Sequence, residues 1–223
     1  MSAAREAILG RVRSALGKSG RDVKAIAEAQ ATIDKHTHGP RPRAITDPIA
    51  RFLRRATDME STVERINARE EIPVAVGRYL DALELPPQLA TQKSRRGVCW
   101  PEFGDLDWAR SGLEIDERPT TGDDWLGITG AFCAIAETGT LVILSGADTP
   151  TATTLLPDTH IAVLRADRIV PGMEEAFALI RRERTALPRA INMISGPSRT
   201  GDIEQTIVLG AHGPYRVHIL VLM

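Results

Sequence analysis

Asn192-Met-Ile-Ser-Gly-Pro-Ser-Arg-Thr-Gly-Asp-Ile-Glu-Gln-Thr-Ile-Val-Leu-Gly-Ala-His-Gly213 is the stretch on which the fold turns. The apolar run from Ile191 to Ile194 reads as a buried strand, stopped by Ser195-Gly196-Pro197. Ile203, Thr206 and Ile207 have helical spacing, which predicts a short helix over about Asp202 to Leu209. Asp202 and Gln205 have capping-box spacing, with Asp202 as N-cap. A polar loop leading from a strand's carboxyl end to a helix N-terminus is where open α/β sheets bind ligands, and its N–H groups favour an anion. Arg199 would add a planar donor fork. Against this stands an ordinary turn over Ser195 to Thr200, with Arg199 paired to a nearby acid.

Working outward, the chain alternates strands and helices. Asp47-Pro48 is a helix start, followed by Ile49, Phe52, Leu53 and Ala56 on one face. A short strand is expected at Thr62 to Ile66, a helix from Glu71 to Leu83, and strands at Gly97 to Trp100 and Leu113 to Glu117. The most apolar part predicts strands at Ile128 to Ala136 and Thr140 to Leu144, joined at Glu137-Thr138-Gly139 by a tight turn or bulge. His160 to Leu164 is a strand, a helix runs from Pro171-Gly172 to about Arg184, and Val217 to Leu222 is a final buried strand. This order argues for an α/β fold with a mostly parallel open sheet flanked by helices.

Residues 1–45 read as an N-terminal helix and polar arm, and residues 46–223 as the α/β domain. Ile8, Leu9, Val12 and Leu16 share one face of the first helix, which Gly17 can end. Lys18 to Arg43 is polar and basic, so it reads as an arm or linker, suited to wrapping a partner subunit or a second copy in a homo-oligomer.

The 223 residues, 43% hydrophobic, can bury a real core in one large domain. A net charge of −1 gives no global pull towards nucleic acid or anionic lipid. No apolar run approaches a membrane span, and the first residues lack a secretory core, so a reducing cytoplasm is expected. Two cysteines, Cys99 and Cys133, offer no disulfide framework.

Several motifs fail on context. Gly17-Lys18-Ser19 has Val12 where a phosphate loop needs glycine. Gly127-Ile128-Thr129-Gly130 lacks the third glycine and the helix of a dinucleotide fingerprint. Ser195 and Ser198 have no nucleophile-elbow setting. His36-x-His38 lacks further ligands, so no metal and no cofactor is expected. Cys133 reads as core rather than nucleophile. Glu137 is different, because a carboxylate between two apolar runs is costly to bury without a partner or a role. Burial would suit it to acid-base or nucleophilic work, whereas a surface turn or an arginine partner would leave it structural. His212, before the last strand, is either a proton donor and anion ligand or a turn histidine held by carbonyls.

Two blocks together are more specific than any of these. Gly127-Ile128-Thr129-Gly130-Ala131-Phe132-Cys133-Ala134-Ile135-Ala136-Glu137-Thr138-Gly139-Thr140 resembles one signature of the lactate-utilization domain family. Ser195-Gly196-Pro197-Ser198-Arg199-Thr200-Gly201-Asp202-Ile203-Glu204, with Gly210-Ala211-His212-Gly213-Pro214, resembles the other, and Ala166 to Pro171 fits between them. The resemblance is to the smaller C-type protein and covers roughly Asp47 to the end. It implies a fold similar to coenzyme A transferases, ribose-5-phosphate isomerase and glucosamine-6-phosphate deaminase. It also implies an accessory subunit of a system that oxidises L-lactate to pyruvate, whose partner proteins carry the iron–sulfur clusters. Two distant cysteines are too few to hold a cluster on this chain. The alternative is a stand-alone enzyme or sensor for a small organic acid, a sugar phosphate or an acyl-coenzyme A. No agreed catalytic residue comes with the resemblance; giving Glu137 or Ser195 such a role rests on analogy with the fold. The expected site has Glu137 as its catalytic group, lined by Thr138, Gly139, Ser195, Gly196, Ser198, Arg199, Thr200, Asp202, His212 and Gly213. Glu137, Arg199 and His212 should then lie together.

Overall fold

The main sheet grows outward from β7 (Thr159–Arg165), whose residues are buried on both faces except the last. A run such as His160-Ile-Ala-Val-Leu164 has no polar side to turn to water, which is the mark of a central strand in a parallel sheet. In the computed structural model, which describes residues 3–17, 22–40, 45–84, 95–203 and 206–223, β7 lies between β4 (Leu126–Gly130) and β12 (Arg216–Leu222). Beyond β12 lies β1 (Thr62–Ile66); beyond β4 lie β2 (Arg96–Cys99) and β3 (Glu114–Glu117). The order is β1-β12-β7-β4-β2-β3 and every pairing is parallel. The edge strand β3 carries Glu114, Asp116 and Glu117, charges that discourage further pairing.

Helix α3 (Pro48–Asp58) starts as its sequence demands, with the Asp47 carboxylate accepting from the Ala50 N–H at 2.9 Å. It buries Phe52 and Ala56, and α4 (Ile72–Asp81) buries Ile72, Val76, Tyr79 and Leu80. Each large apolar side chain so enclosed contributes about 1.5–3 kcal/mol.

A second sheet has the order β8-β5-β6-β9, from β8 (Ile169–Val170), β5 (Cys133–Ile135), β6 (Thr140–Leu144) and β9 (Ile191–Ile194). Helix α6 (Met173–Glu183) covers it through Ala176, Leu179 and Ile180. The expected strand from Ile128 to Ala136 is therefore two strands, β4 and β5, in different sheets, with the break at Ala131-Phe132.

Two expectations need correcting. The segment Asp202 to Leu209 is not a helix: β10 (Arg199–Ile203) pairs antiparallel with β11 (Thr206–Leu209). Thr200, Ile203, Thr206, Ile207 and Val208 are β-branched, and that preference for extended backbone outweighs a helical spacing of only three residues. Asp202 is thus a strand residue rather than a helix N-cap, while Glu204 and Gln205 lie outside the described residues. The polar arm, likewise, contains a helix, α2 (Val23–Asp34), capped by the Asp22 carboxylate on the Ala25 N–H at 3.0 Å. Its alanines are the strongest helix formers, which matters more there than its polar composition.

Contacts divide the chain into two units, Met1–Ala44 and Ile45–Met223. Neither α1 (Ala3–Ala15) nor α2 in the first unit buries a residue. No helix among the described residues is long and apolar enough to cross a membrane.

Candidate functional site

Ligands of open parallel sheets bind beyond the carboxyl ends of the strands, where neighbouring strands send the chain in opposite directions. Here that point lies between β2 and β4, since β2 leads outward to β3 while β4 is followed by β7 and β12 on its other side. A cavity of about 460 Å³ opens there. The ends of the strands supply Trp100, Glu102, Gly130, Val163, Arg165 and Leu222, and the second sheet adds Phe132, Leu144 and Ser145. Arg184, just past α6, also lines it.

Glu102 sits in the turn after Trp100-Pro101 and faces the cavity. Glu102 is exposed as a residue, yet partial desolvation of its carboxyl raises its pKa from the ordinary value, an effect partly offset by the Gly130 N–H and the Arg69 charge. Arg69 itself is committed: it pairs with the Asp105 carboxylate and donates to the Glu102 carbonyl. Arg165 is held by Asp167 through two bonds, at 3.0 and 2.6 Å. Arg184 differs. It donates to the neighbouring Glu183 carbonyl at 3.3 Å, and its guanidinium stands 5.0 Å from the centre of the Phe132 ring. The adjacent Arg168 takes the Glu183 carboxylate with two 2.8 Å bonds. The Ser145 hydroxyl accepts from the Ala190 N–H at 2.8 Å, which leaves its own proton to donate. Trp100 spends its indole N–H on the Pro150 carbonyl at 3.3 Å and offers the cavity an apolar ring. The lining therefore combines apolar side chains with the Arg184 guanidinium, the Ser145 hydroxyl and the Glu102 carboxyl.

The residues singled out from sequence are elsewhere, and none of them lines this cavity. Glu137, half-buried in the β5–β6 turn, donates its N–H to the Pro171 carbonyl at 3.1 Å. The hydroxyls of Thr138, Thr140 and Ser195 form a chain with steps of 2.6 and 2.7 Å. Gly139 and Gly196 adopt φ of 71° and 79°, and a Cβ on either would strike the backbone of α3 at Arg55-Ala56 or at Met59. Only glycine combines that backbone with that proximity. Arg199 donates to the Met59 carbonyl at 2.8 Å and pairs with Glu60 at 3.3 Å, which caps the carboxyl end of α3. Ser198, Gly213 and the exposed His212 lie around the base of the β10–β11 hairpin, where the Ser198 N–H donates to the Pro214 carbonyl at 2.9 Å. Thr200 is half-buried on β10. The structure thus gathers Thr138, Gly139, Ser195, Gly196 and Arg199 on the end of α3. No hydrogen bond or ion pair among the described residues joins Glu137, Arg199 and His212.

The LUD domain family matches residues 118–222. The lactate utilization protein C of Bacillus licheniformis is 35% identical over 129 residues, 55% of this chain and 53% of that protein. That of Bacillus subtilis is 37% identical over 129 residues, 55% of this chain and 53% of that protein. The match thus spans about half the length of these two relatives. The lactate utilization protein C of Deinococcus radiodurans is 32% identical over 212 residues, 89% of this chain and 96% of that protein. The chain belongs to the lactate utilization protein C family. A crystal structure of a DUF162 family protein from Deinococcus radiodurans shares the fold, with TM-score 0.55 and 23% identity over 82% of this chain and 100% of that one. One residue of the first block, Gly139, and two of the second, Gly196 and Arg199, lie against the end of α3.

Sequence reasoning passed over Glu102, Ser145, Arg165 and Arg184. One signal was available for Glu102: an acid three residues past a buried strand, in a Trp-Pro-Glu-Phe turn, sits at a carboxyl end by construction. Arg184 gave none, because its place depends on how α6 crosses the second sheet.

Proposed function

We propose that this chain is an accessory subunit of a cytoplasmic system that oxidises L-lactate to pyruvate, working beside partner proteins that carry iron–sulfur clusters. The pathway half of this reading is supported by relatives named lactate utilization protein C, one of them matched over nearly its whole length. The ligand half is carried by one observation, the cavity at the β2–β4 divergence, whose lining includes Arg184, Ser145 and Glu102. A cluster-free role is consistent with the chain's thiols. Cys99 and Cys133 are both buried, and burial pushes them up to about 12 and about 11, far from the thiolate a cluster needs. Deleting the gene should abolish growth on lactate but not on glucose, and the tagged chain should co-purify with cluster-bearing proteins. Undiminished growth on lactate would overturn the reading.

The same cavity favours a second reading, a stand-alone enzyme or sensor for a small organic acid or phosphate-bearing ligand. Thermal-shift measurements on the purified chain with lactate, pyruvate, sugar phosphates and coenzyme A esters separate the two. A ligand-dependent rise without partners, combined with normal growth on lactate after deletion, would select the second.

A further inference from the structure

We infer that the cavity takes an organic carboxylate with an apolar body, clearly larger than a three-carbon acid: the anion on Arg184 and Ser145, the body along Trp100 and Phe132. This deepens the ligand half of the proposed function and rests on it. Three observations carry it.

The first is size. About 460 Å³ falls in the range of pockets that enclose drug-sized molecules, on the order of 300–1,000 Å³. Lactate has only a handful of non-hydrogen atoms and would leave most of that volume to water.

The second is the division of the lining. Trp100, Phe103, Phe132, Leu144, Val163 and Leu222 present apolar surface beside the polar groups of the lining. Water left against such a wall by a small ligand is released when an apolar body covers it.

The third is how the charges are spent. Arg69 is matched by Asp105 and Arg165 by Asp167, so both guanidiniums are already paired with a carboxylate. Arg184 is the guanidinium whose bond goes to a neutral carbonyl, and Ser145 keeps a proton to give. One planar fork and one hydroxyl match the flat geometry of a carboxylate. Glu102, also in the lining, accepts from a hydroxyl or amine on the ligand when ionised and donates when protonated.

The test is calorimetric binding to the full purified chain with two α-hydroxy acids, lactate and phenyllactate, and with benzoate as a carboxylate lacking the hydroxyl. Phenyllactate should bind at least tenfold tighter than lactate. Arg184→Gln, at an exposed position, should weaken phenyllactate at least tenfold with the circular dichroism spectrum unchanged. Ala131→Phe, which fills the cavity from its wall, should weaken phenyllactate more than lactate. Lactate binding as tightly as phenyllactate overturns the proposal, as does an Arg184→Gln variant with wild-type affinity or a chain that binds none of the three. These outcomes are independent of the growth phenotype on lactate, so the ligand proposal and the pathway reading fail separately.

Discussion

The carboxylate of Glu102 lies where the Cβ of any residue other than glycine at position 130 would be. The two are bound together chemically as well, since the Gly130 N–H supports the Glu102 carboxylate. A Gly130→Ala substitution therefore meets the far end of a flexible side chain, which can swing away. The expected stability cost is at most about 1 kcal/mol by urea unfolding, while Glu102 loses its backbone donor and the cavity changes shape. Gly127 on the same strand is the control. A Cβ there strikes the Thr153 carbonyl, which is backbone of the short helix α5 (Ala152–Leu155) and cannot swing. Gly127→Ala should cost about 2–3 kcal/mol or more. Equal losses at the two positions would show that Glu102 is not free to move.

Glu102→Gln should leave the fold intact and stabilise it slightly near neutral pH. Its carboxyl pKa is raised in the folded chain, so the folded state binds more protons than the unfolded one just above the usual carboxylate range, and stability falls as pH rises through that window. The glutamine variant removes that slope. If Glu102 acts on the ligand, the same variant loses ligand binding or lactate-dependent growth, and Glu137→Gln keeps both. The reverse result would return the site to the β5–β6 turn.

Most strands of the parallel sheet were legible in the chain because their signal is local, whereas the second sheet and the spatial order of the strands depend on pairings no local pattern records. A continuous apolar run such as His160 to Leu164 is long enough to name a buried parallel strand, whereas the run from Ile128 to Ala136 hid the break between β4 and β5. The Asp202–Leu209 helix was misread because Ile203, Thr206 and Ile207 supply barely one turn of helical spacing, and β-branching, not spacing, decided the outcome. The site was less legible for a different reason. Signature residues such as Gly139, Gly196 and Arg199 are constrained by a close crossing over α3, and a packing constraint of this kind leaves the same trace in sequence as a ligand. The cavity, in contrast, is assembled from single residues at the ends of many elements, which no local pattern links.

Arg199→Ala tests that distinction directly. The guanidinium caps α3 through the Met59 carbonyl and pairs with the largely exposed Glu60. Losing a carbonyl cap and one exposed ion pair should cost about 1–2 kcal/mol, with cavity binding unchanged. A variant of wild-type stability that no longer binds ligand would restore Arg199 to the site.

The two buried histidines predict how the fold responds to acid. His160 on β7 is wholly enclosed, bonded to the Thr129 hydroxyl at 2.8 Å; His218 on β12 meets the Thr62 hydroxyl at 2.8 Å and stacks on Tyr79 at 4.0 Å. The parallel register sets His160 beside Val217 and Ile161 beside His218, so the imidazoles lie on opposite faces of one sheet. Burial lowers both to about 4 from the usual 6.5, and for His218 the Arg78 charge adds to it. Because the unfolded chain takes up these protons near 6.5 and the folded chain only near 4, stability is complete above 6.5 and is lost as pH falls towards 4. By pH 5 the loss is about 2 kcal/mol per histidine. Urea midpoints at pH 7.5 and pH 5 should therefore differ clearly, in a window where most carboxylates stay ionised. His160→Asn, which keeps a partner for Thr129, should remove about half of that difference while lowering stability at pH 7.5. Identical midpoints at the two pH values would mean that water reaches the rings and that the two faces of the sheet are less tightly closed than their packing indicates.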